Sequence, residues 1–129
     1  DMSDNARTLS VFRVRRAWTQ AGSTWNNWDT GNAWTTAMCA DTTNDREGTD
    51  IGTVTQPANP AVDSTVTVIL NAAKVQDWID GTFVNNGILL QVATELNDAL
   101  LYYPREEPVA SKRSTLIIEY EAGSYSFFM

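Results

Sequence analysis

The stretch Thr65-Val66-Thr67-Val68-Ile69-Leu70-Asn71-Ala72-Ala73-Lys74-Val75-Gln76-Asp77-Trp78-Ile79-Asp80-Gly81 changes its hydrophobic period halfway along, and that change decides the fold class. In Thr65-Val66-Thr67-Val68, β-branched residues alternate polar with apolar, as a half-buried strand requires. From Asn71 the period lengthens, so that Val75, Trp78 and Ile79 fall at i, i+3 and i+4 and share one helical face. Asn71 is a good N-cap, because its side-chain oxygen can accept from a first-turn amide, and Gly81 stands where a left-handed residue ends a helix. Leu70 and Val75 occupy the two positions of a hydrophobic staple. The spacing predicts a strand over 65–68 and one short helix over 72–80.

On the C-terminal side, Asn85-Asn86-Gly87 tolerates the positive φ of a tight turn, and Ile88-Leu89-Leu90-Gln91-Val92 then reads as a buried strand. Further strands are expected over Ala99 to Tyr103 and Thr115 to Tyr120, separated by a polar loop from Pro104 to Lys112. Toward the N-terminus, Leu9 to Trp18 alternates, with Phe12 and Val14 on one side and Arg13 and Arg15 on the other. This pattern predicts an edge or outer-face strand with solvated arginines. Thr19 to Pro60 is rich in Thr, Asn, Asp and Gly and predicts a long irregular excursion, with short strands around Ala33 to Ala37 and Ile51 to Thr55. The sum is an all-β chain, an antiparallel β-sandwich or jelly roll with one short helix and long polar loops.

With 129 residues the chain fits one domain over 1–129. Apolar residues form 43% of it and charged residues 19%, a balance that can bury a core. The net charge of −7 repels polyanions, so nucleic acid is not an expected partner. No apolar run reaches the roughly 18 residues of a membrane span. Histidine is absent and Cys39 is the one cysteine, which excludes an intrachain disulfide, a Cys–His nucleophile and a His-based triad. Cys39 is expected to be a small buried residue. Glu106 and Glu107 read as solvated loop charge, and no carboxylate pair stands out for glycoside hydrolysis. No catalytic residue is assigned, and an enzyme is not expected.

Two loop features carry candidate binding chemistry. Asp41, Asp45 and Asp50 lie in an acidic stretch that could offer calcium its oxygen ligands. The stretch departs from the EF-hand pattern, with Arg46 at the glycine position and Gly52 in place of the bidentate acid, so a plain acidic surface loop is the competing reading. No other cofactor is expected. Trp28 and Trp34, with Asn27 and Asp29 beside them, are the candidate carbohydrate platform, since flat rings stack on sugars while amides and carboxylates bond hydroxyls.

Three segments in order carry a family resemblance: Val14 to Asn26 with Trp18, Thr24, Trp25 and Asn26; Thr65 to Leu90 with Val75, Trp78, Gly81, Asn86 and Gly87; and Thr115 to Tyr120 with Leu116 and Tyr120. Together they resemble the DNRLRE-type modules, secreted and virion-associated β-sandwiches related to carbohydrate-binding modules. The resemblance implies structural roles for those motif residues and a non-catalytic structural or adhesive module on an extracellular or virion surface, in possible contact with polysaccharide. The alternative it leaves open is a carbohydrate-binding module appended to a polysaccharide-degrading enzyme. The family's opening strands have no counterpart here, so a fragment of a longer chain is expected, with 121–129 as tail or linker. The partners expected are the missing N-terminal strands or neighbouring protein chains, because a sandwich short of strands leaves backbone groups and apolar faces uncovered.

Overall fold

Strand β1, Arg7–Arg13, runs through the middle of a three-stranded antiparallel sheet, between β4, Gly52–Gln56, on one side and β5, Ile88–Val92, on the other. The structure is a computed structural model and describes residues 5–92 and 101–120. Register is fixed by Val11, which stands opposite Gly52 in β4 and Leu90 in β5. Two further strands, β2 (Asn27–Asp29) and β3 (Asn32–Ala33), form a separate hairpin. The protein is therefore a small β-rich fold with antiparallel sheets and one short helix.

Alternation along β1 assigns its two faces. Leu9, Val11 and Arg13 share one face, and Phe12 and Val14 lie on the other; all five are buried. With Cys39 and Ile51 the four apolar residues make up the buried apolar core among the described residues. Each such side chain, fully buried, contributes about 2 kcal/mol. Helix α1, Ala72–Ile79, is joined to the Leu9–Val11 face, since Arg13 Nη1 donates to the carbonyl of Lys74 at 2.9 Å. The helix begins as its sequence predicts: Asn71 Oδ1 accepts from the Lys74 amide at 3.3 Å, and Gly81 follows the end with φ of +73°. The turn at Asn85–Gly87 is also present, with Gly87 at φ +88° and its amide donating to Asn85 Oδ1.

Several expectations are corrected. β1 is the central strand, not an edge, because both its ladders are filled. β5 matches the predicted bounds; among the described residues it pairs with β1 alone, and its Ile88 and Leu90 side chains are exposed rather than buried. Thr65–Val68 forms no strand. The chain here crosses the face of the sheet instead of lying in its plane: a Cβ on Gly52 would meet the Ile69 carbonyl at 2.5 Å, with Val68 and Leu70 side chains just beyond. It then drops onto β4's end, where the Asn71 amide donates to the Ile51 carbonyl at 2.7 Å. Leu101–Tyr103 and Thr115–Tyr120 are likewise not strands; Ala99 and Leu100 lie outside the described residues, as does the expected tail over 121–129. Of the expected short strands, that over Ile51 to Thr55 is present as Gly52–Gln56, whereas that over Ala33 to Ala37 shares only Ala33 with β3 and gives way to a 3-10 turn over Ala37–Cys39.

Candidate functional site

Two polar constructions flank the C-terminal end of β1. The first is built on Arg13, whose position on the covered face buries a guanidinium that alternation alone assigns to solvent. Nε donates to Glu47 Oε2 at 2.7 Å and Nη2 to Glu47 Oε1 at 3.1 Å, while Nη1 donates to Asp77 Oδ2 at 2.8 Å and to the Lys74 carbonyl. Lys74 Nζ closes the circuit on Glu47 Oε1 at 2.6 Å. The Phe83 ring covers the guanidinium at 3.8 Å from its centroid. Two cations face two anions, so the cluster is neutral. The Arg13 hydrogen bonds hold the Glu47 carboxyl down at about 2, against the opposing effect of burial and with further help from Lys74.

The second construction is Asp45, which is 0% exposed. Its Oδ1 accepts from Arg16 Nε at 2.8 Å and its Oδ2 from the Thr36 amide at 3.0 Å. Its carbonyl accepts from the Arg15 and Arg16 amides and from the Cys39 thiol. Burial opposes ionisation here, but the hydrogen bonds from Thr36, Arg16 and Thr35 together hold the carboxyl below its usual range. Arg46, next in sequence, sets its guanidinium carbon over the Phe12 ring, 3.9 Å from the centroid. The loop from Thr35 to Glu47 is thereby bound to the second face of β1.

These uses account for the candidate calcium ligands. Asp41 Oδ1 accepts from the Thr43 and Asn44 amides and the Asn44 side chain, closing a turn, while Asp45 is committed to Arg16 and Thr36. Asp50 is exposed elsewhere in the loop. Among the described residues no group of three or more acidic or cysteine side chains is arranged to hold a metal ion. Asp41 Oδ1 and both carboxylate oxygens of Asp45 are thus engaged in folding the loop.

The aromatic loop is organised around the β2–β3 hairpin, whose two-residue turn contains Gly31 at φ +75°. Thr24 Oγ1 accepts from the Asn26 and Asn27 amides, and the Thr24 carbonyl accepts from Trp34 Nε1 at 3.1 Å. The Trp25 carbonyl accepts from Met38, and the Asn26 carbonyl from Trp34. Thr19 Oγ1 donates to Asp29, and that bond holds the Asp29 carboxyl below its usual range. Gly22 is buried beneath this clasp, where a Cβ would collide with Asp29 Oδ1. Trp28 and Trp34, the expected sugar platform, are only half-exposed, as are Asn27 and Asp29. Trp25 is instead the most open of the tryptophans at 60% exposure, followed by Trp18. Trp78 is half-buried on α1, and its indole nitrogen has no partner among the described residues.

The structure brings three of the motif residues together. Trp18 Nε1 donates to the Asn86 carbonyl at 2.7 Å, Asn86 Nδ2 donates to the Arg15 carbonyl at 2.6 Å, and the Trp18 ring lies against the position where Gly87 would carry a Cβ. They clasp the turn before β5 to the end of β1. Val75, Trp78 and Gly81 serve α1 and its end, and Thr24, Trp25 and Asn26 serve the hairpin. Sequence reasoning misses the Arg13–Glu47–Lys74–Asp77 cluster; the spacing of Lys74 and Asp77 on one helical face is the only local signal of it. In comparisons with known proteins, no family model, no curated protein and no solved structure matches the chain.

Proposed function

We propose that the chain is a non-catalytic structural or adhesive module of an extracellular or virion surface assembly, of the DNRLRE type, with its three-stranded sheet forming one layer of a sandwich. The observation that carries this reading is a set of exposed large apolar side chains in β5 and in the segment from 101 to 120. Leu101 is 90% exposed and Ile117 80%, and Leu116, Ile118, Tyr120, Ile88 and Leu90 are exposed with them. Exposed large apolar side chains in this number favour a chain that packs against other protein. Saturated carboxylates support the non-catalytic part: Glu47 and Asp45 are held ionised by donors on both oxygens, leaving neither as an acid or base at neutral pH.

A second reading, a carbohydrate-binding module appended to a polysaccharide-degrading enzyme, draws on Trp25. That ring is exposed on backbone held by hydrogen bonds on both sides, with exposed Asn26 beside it. Such a ring loses little entropy on stacking against a pyranose. Immunogold microscopy with an antibody to the chain tests the first reading: label on the surface of particles or cells supports it, and label confined to the cytoplasm overturns it. A glycan array comparing wild type with Trp25→Ala and with the Trp28→Ala/Trp34→Ala double variant decides the second. Glycan binding lost in either variant favours the sugar module, and no glycan binding at all favours assembly.

A further inference from the structure

We infer that Asn86 is a site of spontaneous deamidation whose rate the fold controls, through the clasp that joins it to Trp18 and to the Arg15 carbonyl. Asn86-Gly87 is the one Asn-Gly pair in the sequence. Glycine has no Cβ to shield its backbone nitrogen or restrict its dihedrals, so an asparagine side chain can fold back over the peptide bond that follows it. The Gly87 nitrogen then attacks Asn86 Cγ. A bond forms between the two, the Cγ–Nδ2 bond breaks, and Nδ2 leaves as ammonia with the proton that the Gly87 amide gives up. Water opens the resulting cyclic imide at either carbonyl to give aspartate or isoaspartate. One water is consumed and one ammonia released, and no oxidant or other reagent is needed.

The fold holds both reacting groups out of that geometry. Asn86 Nδ2 donates to the Arg15 carbonyl at 2.6 Å, so the side chain is committed to the end of β1 and is not free to turn over its own peptide bond. The Gly87 amide donates to Asn85 Oδ1 at 3.0 Å, and the Gly87 carbonyl accepts from the Val14 amide at 3.0 Å. Trp18 locks the arrangement, with Nε1 donating to the Asn86 carbonyl at 2.7 Å and ring atoms 3.8 and 3.9 Å from where a Gly87 Cβ would stand. Reaction therefore requires the clasp to open, and the native rate is the unfolded-chain rate multiplied by the open fraction. Trp18 is 41% exposed and Asn86 half-buried, so this opening involves no residue of the core. Once reaction has occurred the clasp cannot reclose. In aspartate an oxygen replaces Nδ2, and two acceptors face each other where a hydrogen bond stood. Isoaspartate adds a methylene to the main chain ahead of Gly87 and takes its carbonyl out of register with the Val14 amide. Either product loosens the join between β1 and the start of β5 and adds one negative charge to a chain already at −7.

Peptide mapping by mass spectrometry of the full chain incubated at pH 8, in buffer and in urea, tests this. Unfolded wild type is expected to convert Asn86 ahead of every other asparagine, and folded wild type to convert it about tenfold or more slowly. Trp18→Phe keeps a ring but deletes the Nε1 donor, and Asn85→Ala frees the Gly87 amide at an exposed position. Each should convert Asn86 about fivefold faster than wild type when folded, the population change expected from one lost hydrogen bond, and at the wild-type rate in urea. Far-ultraviolet circular dichroism confirms that a variant is folded, and should Trp18→Phe fail to fold, Asn85→Ala carries the comparison alone. Acceleration in either folded variant supports the gated site. Folded wild type that reacts as fast as in urea, an unfolded chain that leaves Asn86 intact, or folded variants no faster than wild type overturn it. Asn86→Asp makes the aspartate product directly: hydrogen exchange at the Val14 amide should quicken about tenfold, and unchanged exchange would show that the product recloses the clasp and overturn that part.

Discussion

Nε and Nη2 of Arg13 grip the two carboxylate oxygens of Glu47 in parallel, at 2.7 and 3.1 Å, although the residues lie 34 positions apart. The pair joins the middle strand of the sheet to the loop that precedes β4, and Asp77 extends the join to the helix. Because both partners are nearly buried, removing one leaves the other charged without water, which costs about 3–5 kcal/mol. Arg13→Met and Glu47→Leu are each expected to lower stability by that order in urea unfolding. The double variant should be less destabilised than the sum, since it strands fewer charges, and a double-mutant cycle reads the difference.

Acid should undo the same pair. Glu47 has its carboxyl lowered in the folded protein to about 2 from an ordinary 4.5, so the unfolded chain takes up the proton first as pH falls. The stabilisation is fully present above about pH 4.5 and drains away between there and about pH 2. Asp45, also lowered, contributes in the same direction. Urea midpoints measured from pH 6 to pH 2 should therefore fall, and in Glu47→Gln the fall should be shallower because one titrating group is gone.

Local signals make some of this fold legible in the sequence and long-range ones hide the rest. Helix α1 and the Asn85–Gly87 turn are readable because a cap, a period and a glycine sit within a few residues of what they determine. Thr65–Val68 has the composition of a strand but no ladder, since pairing depends on a free neighbouring edge, and here the chain is laid over Gly52 instead. Alternation along β1 separates Arg13 from Phe12 correctly. It cannot say that both faces are covered, because the covers, the loop at Arg46 and helix α1, arrive from distant sequence. Among the tryptophans, exposure follows from which carbonyls and rings the hairpin presents, and no spacing encodes it.

Gly52 stands where the crossing chain comes closest to the sheet. Gly52→Ala would set a methyl 2.5 Å from the Ile69 carbonyl, a backbone atom that cannot swing away. A cost of about 1–3 kcal/mol is expected from the forced shift. Gly48 is the control: there a Cβ would meet Thr42 side-chain carbon at 3.4 Å, an ordinary contact. Gly48→Ala should leave the thermal midpoint nearly unchanged or slightly raised through the stiffer unfolded chain, while Gly52→Ala lowers it.

The Cys39 thiol reports on the loop that Asp45 holds. Burial pushes its pKa up to about 11, the Asp45 carboxylate adds to the rise, and Arg46 and Arg16 oppose it. At pH 8 roughly one thiol in a thousand is ionised, so alkylation in the native protein should be far slower than in urea. Asp45→Asn acts on both parts of that barrier. It removes the nearby negative charge, which lowers the thiol pKa, and it exchanges a charge-assisted bond to Arg16 for a weaker one, which loosens the loop from Thr35 to Glu47. Faster labelling of native Cys39 by iodoacetamide is the expected result, with a loss of stability of about 2 kcal/mol. Comparing the labelling rate at pH 7 and pH 9 separates the two causes: a thiol that reacts in place with its pKa still above 9 gains about tenfold per pH unit over this range, whereas labelling through an opened loop flattens toward the ordinary thiol pKa of 9.0.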